Sequence, residues 1–127
     1  MAKILVVDDN EVNRLLIVKL FSKYKHQLEE AVNGAEALAK AKAAPPDLVF
    51  TDLLMPQMDG YELIRQLRAN PQTSSIPIVV YTALYMARGA TELAKAYGVS
   101  DVLTKPSKPE VIMKAVTDAL GLPFQQA

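Results

Sequence analysis

Two uninterrupted apolar runs, Ile4-Leu5-Val6-Val7 and Leu48-Val49-Phe50, each leading into carboxylates, restrict this chain more than any other feature. A strand with one wet face alternates apolar and polar residues. Neither run does so, which is the pattern of central strands in a parallel sheet covered by helices on both sides. The first run ends on Asp8 and Asp9, and the second reaches Asp52 one residue beyond Thr51. Ligands of open α/β sheets bind at the carboxyl edge, so acids there are placed for chemistry rather than for packing. Asp52 alone would read equally well as a solvated loop acid; the other two shift the balance. If the strands are neighbours through a right-handed crossover, the three carboxylates converge on one cleft. Like charges ~4 Å apart repel by roughly 4 kcal/mol at an effective dielectric of ~20, so such a cluster needs a cation or a proton. Mg²⁺, which takes one or two carboxylates together with waters and a phosphate oxygen, suits a shallow acidic cleft. Ca²⁺ is less favoured, because the chain has no D-x-D-x-D-G loop.

At 127 residues the chain reads as one domain, residues 1–121, with a short loose tail at 122–127 and no output domain. Half of its residues are hydrophobic, yet no apolar run approaches the ~18 residues of a membrane span. No signal peptide is evident. The absence of cysteine removes disulfides, thiolate zinc sites and cysteine nucleophiles together, and it fits a reducing compartment, hence a cytoplasmic location. A formal net charge of zero leaves no Lys/Arg stripe for a nucleic acid. The single histidine, His26, allows neither a triad nor a histidine metal cage and reads as a strand-edge residue.

In chain order, Asn10 caps a helix from Glu11 to Tyr24 whose inner arc is Leu16, Ile17, Leu20, Phe21 and Tyr24. A short edge strand, Gln27 to Val32, carries Glu29 and Glu30 and ends in a turn at Asn33-Gly34. Ala35 to Ala44 is a helix stopped by Pro45-Pro46, and the strand to Asp52 follows. The loop Met55 to Gly60 feeds a helix from Tyr61 to Ala69. A fourth strand runs from Ile76 to Thr82, with Pro77 tolerated near its start. The next helix, about Met86 to Tyr97, is weakened by Gly89 and is expected to be the most mobile. Val102-Leu103-Thr104 is a short fifth strand, and Pro109 opens a last helix through Leu120 that stops at Gly121.

Asp8, Asp9, Asp52, Thr82 and Lys105 thus all stand at or just past strand ends. The pieces VVDDN, TDLLMPQMDGYEL, VVYTA and LTKP, in that order, resemble the receiver domain of two-component response regulators over the whole chain. VVDDNEVNR is similar to receivers attached to hybrid sensor kinases. The resemblance implies a flavodoxin-like fold, five parallel strands in the order 2-1-3-4-5 with five helices. It also implies phosphorylation of Asp52 by a phosphohistidine donor, a histidine kinase or a histidine phosphotransfer protein.

A carboxylate attacking a phosphoryl group forms an acyl phosphate, and Mg²⁺ held by flanking acids screens the approach of two anions. On that reading Asp52 is the nucleophile, and Asp8 and Asp9 hold Mg²⁺, with Mn²⁺ as a substitute. The resemblance adds Asp52 itself and the backbone carbonyl of Leu54 as ligands. Lys105 supplies positive charge to the phosphoryl oxygens and Thr82 its hydroxyl, while Ala83 offers its backbone and leaves room beside the site. The resemblance also implies a cis bond at Lys105-Pro106, which proline permits. Receivers usually carry an aromatic residue three before the lysine, and here that position is Val102, so an aromatic readout is not expected there. Tyr81 and Tyr85, which flank Thr82, read as packing residues. Leu54 and Leu84, two residues beyond Asp52 and Thr82, are apolar and exclude water, which points to a long-lived acyl phosphate. Phosphorylation is expected to draw Thr82 inward and to shift the Gly89 helix and the face of the fifth strand.

Two other classes compete. An aspartyl-nucleophile phosphohydrolase of the haloacid dehalogenase type needs an acid two residues after its nucleophile, where this chain has Leu54, so no turnover enzyme is expected. An interaction module independent of phosphorylation would be expected to lose the acids or the lysine. On the first helix, Val12, Leu15 and Val18 fall outside the inner arc and form an exposed apolar ridge. Because the receivers that the chain resembles present this helix to a helical, histidine-bearing partner, the ridge together with Pro106 is the expected docking surface. A downstream target or tethered kinase and weak self-association complete the expected partners, with neither nucleic acid nor membrane among them.

Overall fold

In a computed structural model that describes residues 2–87 and 89–122, the chain folds as five strands and intervening helices. The strands are β1 (Lys3–Val7), β2 (Gln27–Ala31), β3 (Leu48–Thr51), β4 (Ile78–Ala83) and β5 (Asp101–Lys105). The helices are α1 (Glu11–Lys23), α2 (Gly34–Ala43), α3 (Gly60–Ala69), α4 (Leu84–Ala87), α5 (Thr91–Tyr97) and α6 (Pro109–Leu120). All pairings are parallel and the strand order is β2-β1-β3-β4-β5, as expected. Both faces of the sheet are buried, which is why β1 and β3 show no polar alternation. Leu5, Val7, Val49, Ile78 and Val80 pack on one side against Leu38 of α2, Leu63, Ile64 and Leu67 of α3 and Leu93 of α5. Ile4, Val6, Leu48, Phe50, Val79 and Leu103 pack on the other against Ile17 and Phe21 of α1 and Ile112, Met113 and Val116 of α6.

Caps set the entry angles of the helices above the carboxyl edge. Asn10 accepts from the Asn13 N–H at 2.9 Å, Asn33 from Glu36 at 2.8 Å and Asp59 from Glu62 at 3.0 Å, each satisfying a donor that the first turn leaves open. Asn33-Gly34 is therefore a cap and first helical residue rather than a free turn. At the far end Gly121 closes α6 in the left-handed conformation, φ +72°.

Three expectations change. The single helix from Met86 to Tyr97 is two pieces, α4 and α5, parted around Gly89. The amides of Gly89 and Ala90 bond back three residues, to the carbonyls of Met86 and Ala87, which tightens the chain where glycine gives the helix least support. On α1 the inner arc is rotated. Leu16 is 61 % exposed, whereas Val18 packs beside Ile17 and Phe21. Phe21, fully buried and edge-on to Phe50 at 5.1 Å, turns the helix so that Val18 rather than Leu16 follows it inward. The exposed ridge is accordingly Val12, Leu15 and Leu16, and Val18 is not part of it. Of the expected loose tail, residues 123–127 lie outside the described residues, as do the side chains of Leu84 and Tyr85.

The revised faces of α1 are open to measurement. Phe21→Ala should cost roughly 3–5 kcal/mol in urea unfolding, and Leu16→Glu should stay within about 0.5 kcal/mol of the parent. A loss above about 2 kcal/mol for Leu16→Glu would return that side chain to the core.

Candidate phosphoacceptor site

Register brings the acids together. Val7 of β1 pairs with Thr51 of β3, so the next residue on each strand, Asp8 and Asp52, leaves the sheet side by side. Backbone bonds continue one step past the strands, from Asp52 N–H to the Val7 carbonyl and from Asp8 N–H to the Ala31 carbonyl, both 3.1 Å. Two strands away, Ala83 pairs with Lys105, which sets the lysine at the same edge. An open cleft of about 600 Å³ is lined by Asp8, Asp9, Asp52, Leu54, Thr82, Ala83 and Lys105, among others.

Within it the Lys105 ammonium lies between two carboxylates, donating to Asp52 Oδ2 at 2.7 Å and to Asp8 Oδ2 at 2.8 Å. Burial alone would lower the lysine's pKa; hydrogen bonds to Asp52 and Asp8, with their charges, outweigh it and hold the ammonium above its ordinary value. The other oxygen of Asp52, Oδ1, accepts from the Thr82 hydroxyl at 2.6 Å and from the Leu53 N–H at 2.6 Å. Asp8 Oδ1 accepts from the Asn10 N–H at 2.9 Å. Asp8, Asp52 and Thr82 are buried, whereas Asp9 stands exposed at the rim. Three acids thus share the cleft as expected, but the compensating cation between the inner two is Lys105. Among the described residues no three acidic or histidine side chains are gathered closely enough to hold a metal. The donors lining the cleft are nonetheless hard oxygens beside open water, a set that fits Mg²⁺ and not a softer ion.

The remaining expected residues are placed as follows. Leu54 is 56 % exposed over the cleft. Lys105-Pro106 is cis, as expected, with Pro106 exposed on the side of α1. Val102 packs half-buried on the α3 and α5 side of the sheet. Tyr81 lies on the opposite side, against Phe50 at 5.5 Å. It does more than pack: its ring lies 5.7 Å from the Lys105 ammonium, and its hydroxyl accepts from the Ser107 N–H at 3.2 Å.

Several supporting residues were not singled out from the sequence. Arg14 donates to the Asp8 carbonyl at 2.9 Å and to Glu30 at 2.8 Å, so it braces the acidic turn. The loop after β3 needs two glycines. A Cβ on Gly60 would meet the Asp52 carbonyl and the Leu53 Cα, and one on Gly34 would meet the Met58 carbonyl. Gln57 and Met58 take positive φ, +49° and +76°, at about 1 kcal/mol or more each. The Gly34 N–H bonds to the Met58 carbonyl at 3.0 Å, so the start of α2 clamps this strained loop. The sequence signals were NG, read only as a turn, and DG, read only as the end of a loop.

Comparison with known proteins agrees with this geometry. Residues 4–117 match the family model of the response regulator receiver domain. The chain is 33 % identical over 121 residues to protein PilH of Pseudomonas aeruginosa, covering 95 % of this chain and 99 % of PilH. It is 45 % identical over 106 residues to the response regulator PleD of Caulobacter vibrioides, covering 83 % of this chain but only 23 % of PleD. Among solved structures, the receiver domain of a sensor histidine kinase from P. aeruginosa, with a magnesium ion coordinated in its active-site cleft, superposes with a TM-score of 0.85 at 28 % identity, covering 94 % of this chain and 98 % of that one. With the acids, the threonine and the lysine at the ends of a 2-1-3-4-5 sheet, the chain belongs to the receiver domain family of two-component response regulators, and its function is phosphoacceptor signalling.

Proposed function

We propose that Asp52 is the phosphoacceptor and that a phosphohistidine on a helical partner domain is the donor. One observation carries this reading: both oxygens of the Asp52 carboxylate already hold donors, Thr82 at 2.6 Å and Lys105 at 2.7 Å, where a phosphoryl group would attach. In transfer, one Asp52 oxygen bonds to phosphorus as the donor's P–N bond breaks, and that electron pair returns to the imidazole nitrogen. Lys105 and Thr82, which orient the free carboxylate, then serve the phosphoryl oxygens together with the Ala83 N–H, so the same donors stabilise the charged product. Asp8, Asp9, Asp52 and the Leu54 carbonyl would hold Mg²⁺, the acids directly or through water, and the ion would supply charge neutralisation at the phosphoryl oxygens. Magnesium in the cleft of the kinase receiver supports that assignment. Mn²⁺ is the proposed substitute.

The domain promotes its own phosphorylation and dephosphorylation and is not a turnover enzyme. Leu54 stands where a phosphohydrolase would need its general acid, and no histidine lines the cleft. Residues 1–121 form the receiver unit. Among the described residues no helix is long and apolar enough to cross a membrane; with the absence of cysteine, this supports a proposed cytoplasmic location. The partner-facing surface is the corrected ridge of α1, Val12, Leu15 and Leu16 beside Lys19, together with Pro106. Val12 and Leu15, 68 % and 43 % exposed, begin one turn from the cleft, and a helix pair would bury such a ridge well.

Asp52→Asn should abolish labelling by a small phosphodonor with Mg²⁺, and a chelator should abolish it in the parent; stoichiometric labelling in either case contradicts the assignment. Leu54→Asn, which puts a polar group over the cleft, should speed hydrolysis of the acyl phosphate several-fold, followed as loss of label, and an unchanged or slower rate would show that Leu54 does not exclude water. Leu15→Glu with Leu16→Glu should leave small-donor labelling intact and slow transfer from the phosphohistidine protein more than 10-fold. Equal transfer rates would remove the ridge from the interface.

A further inference from the structure

We infer that Tyr81 is a positioning residue for the phosphorylation chemistry: its ring seats the Lys105 ammonium, and its hydroxyl anchors the turn that follows the lysine. The inference rests on Asp52 being the phosphoacceptor. Lysine has a four-carbon stem with free rotation, so an ammonium that must serve two carboxylates needs support from its surroundings. Strand register supplies it. Ala83 pairs with Lys105 and Tyr81 with Leu103, so Tyr81 and Lys105 are diagonal neighbours on the same face of the sheet. The ammonium lies 5.7 Å from the ring centroid, within the range of cation–π attraction, while it donates to Asp8 and Asp52.

The ring is itself held in place. Phe50 packs behind it at 5.5 Å, and Phe21 lies edge-on to Phe50 at 5.1 Å, so the stack reaches from the lysine into the core. At its polar end the Tyr81 hydroxyl accepts from the Ser107 N–H at 3.2 Å, and Ser107 closes the same turn by donating to the Thr104 carbonyl at 2.6 Å. The turn carrying Lys105 and Pro106 is thus tied to β4 as well as to β5. A residue present only to fill space needs neither contact, and an isoleucine or valine, as at Ile78, Val79 and Val80 of the same strand, would fill it.

The test uses the whole chain, with Mg²⁺ saturating and acetyl phosphate as donor. In that reaction the donor's P–O bond breaks, acetate leaves with the electron pair and an Asp52 oxygen bonds to phosphorus. Tyr81→Leu should slow labelling about 5-fold, and Tyr81→Phe, which keeps the ring, should label within about 2-fold of the parent while the Ser107 amide exchanges faster with solvent. In a Lys105→Met background, Tyr81→Leu should change the residual rate no further, since the tyrosine acts through the lysine. Parent-like labelling by Tyr81→Leu, a Tyr81→Phe variant as slow as Tyr81→Leu, or a full 5-fold effect in the Lys105→Met background would each overturn the inference. If Tyr81→Leu does not fold, Tyr81→Met replaces it with the same expected and opposing outcomes. Asp52→Asn, run alongside, separates the two readings: label retained there defeats the phosphoacceptor assignment, whereas label lost there with Tyr81→Leu unimpaired defeats only the role of Tyr81.

Discussion

The ammonium of Lys105 between Asp8 and Asp52 is the contact on which the rest of the site depends. Two carboxylates leave adjacent strands with most of their surface taken from water, their side chains 8 % and 11 % exposed. Without a cation the pair would be self-repelling, and removing one partner from a buried ion pair commonly costs about 3–5 kcal/mol, because the remaining charge is left uncompensated. Lys105 resolves this by donating to both at once, at 2.8 Å to Asp8 and 2.7 Å to Asp52.

The fold exists around that edge. Parallel strands with both faces covered leave only their ends accessible, and the register Val7 to Thr51 and Ala83 to Lys105 determines which residues emerge there. The loop after β3 is shaped from outside by Gly60 against the Asp52 carbonyl and by the start of α2 against Met58. Backbone held in the left-handed region at Gln57 and Met58 persists because those contacts over-determine it.

Much of this was legible in the chain. Unbroken apolar runs gave the central strands, and acids, a threonine and a lysine at strand exits gave the site, because both depend on local pattern and on topology rules that leave few alternatives. Side-chain azimuth on α1 was not legible. Leu15-Leu16-Ile17-Val18 is apolar on every side, so periodicity alone cannot say whether Leu16 or Val18 turns inward, and the Phe21 to Phe50 contact, a tertiary event, decides it. The break at Gly89 was read as weakness and proved to be an interruption. Tyr81 was read as packing because its two polar contacts, to Lys105 and Ser107, come from residues more than twenty positions away.

The central claim is that Asp52, and neither of its neighbouring acids, takes the phosphoryl group. Borohydride reduction of the phosphorylated domain converts an acyl phosphate to an alcohol, so an aspartyl phosphate becomes homoserine, which peptide mass spectrometry locates. The account predicts homoserine at position 52 alone. Homoserine at position 8 or 9, or label that survives borohydride with no homoserine formed, would contradict it.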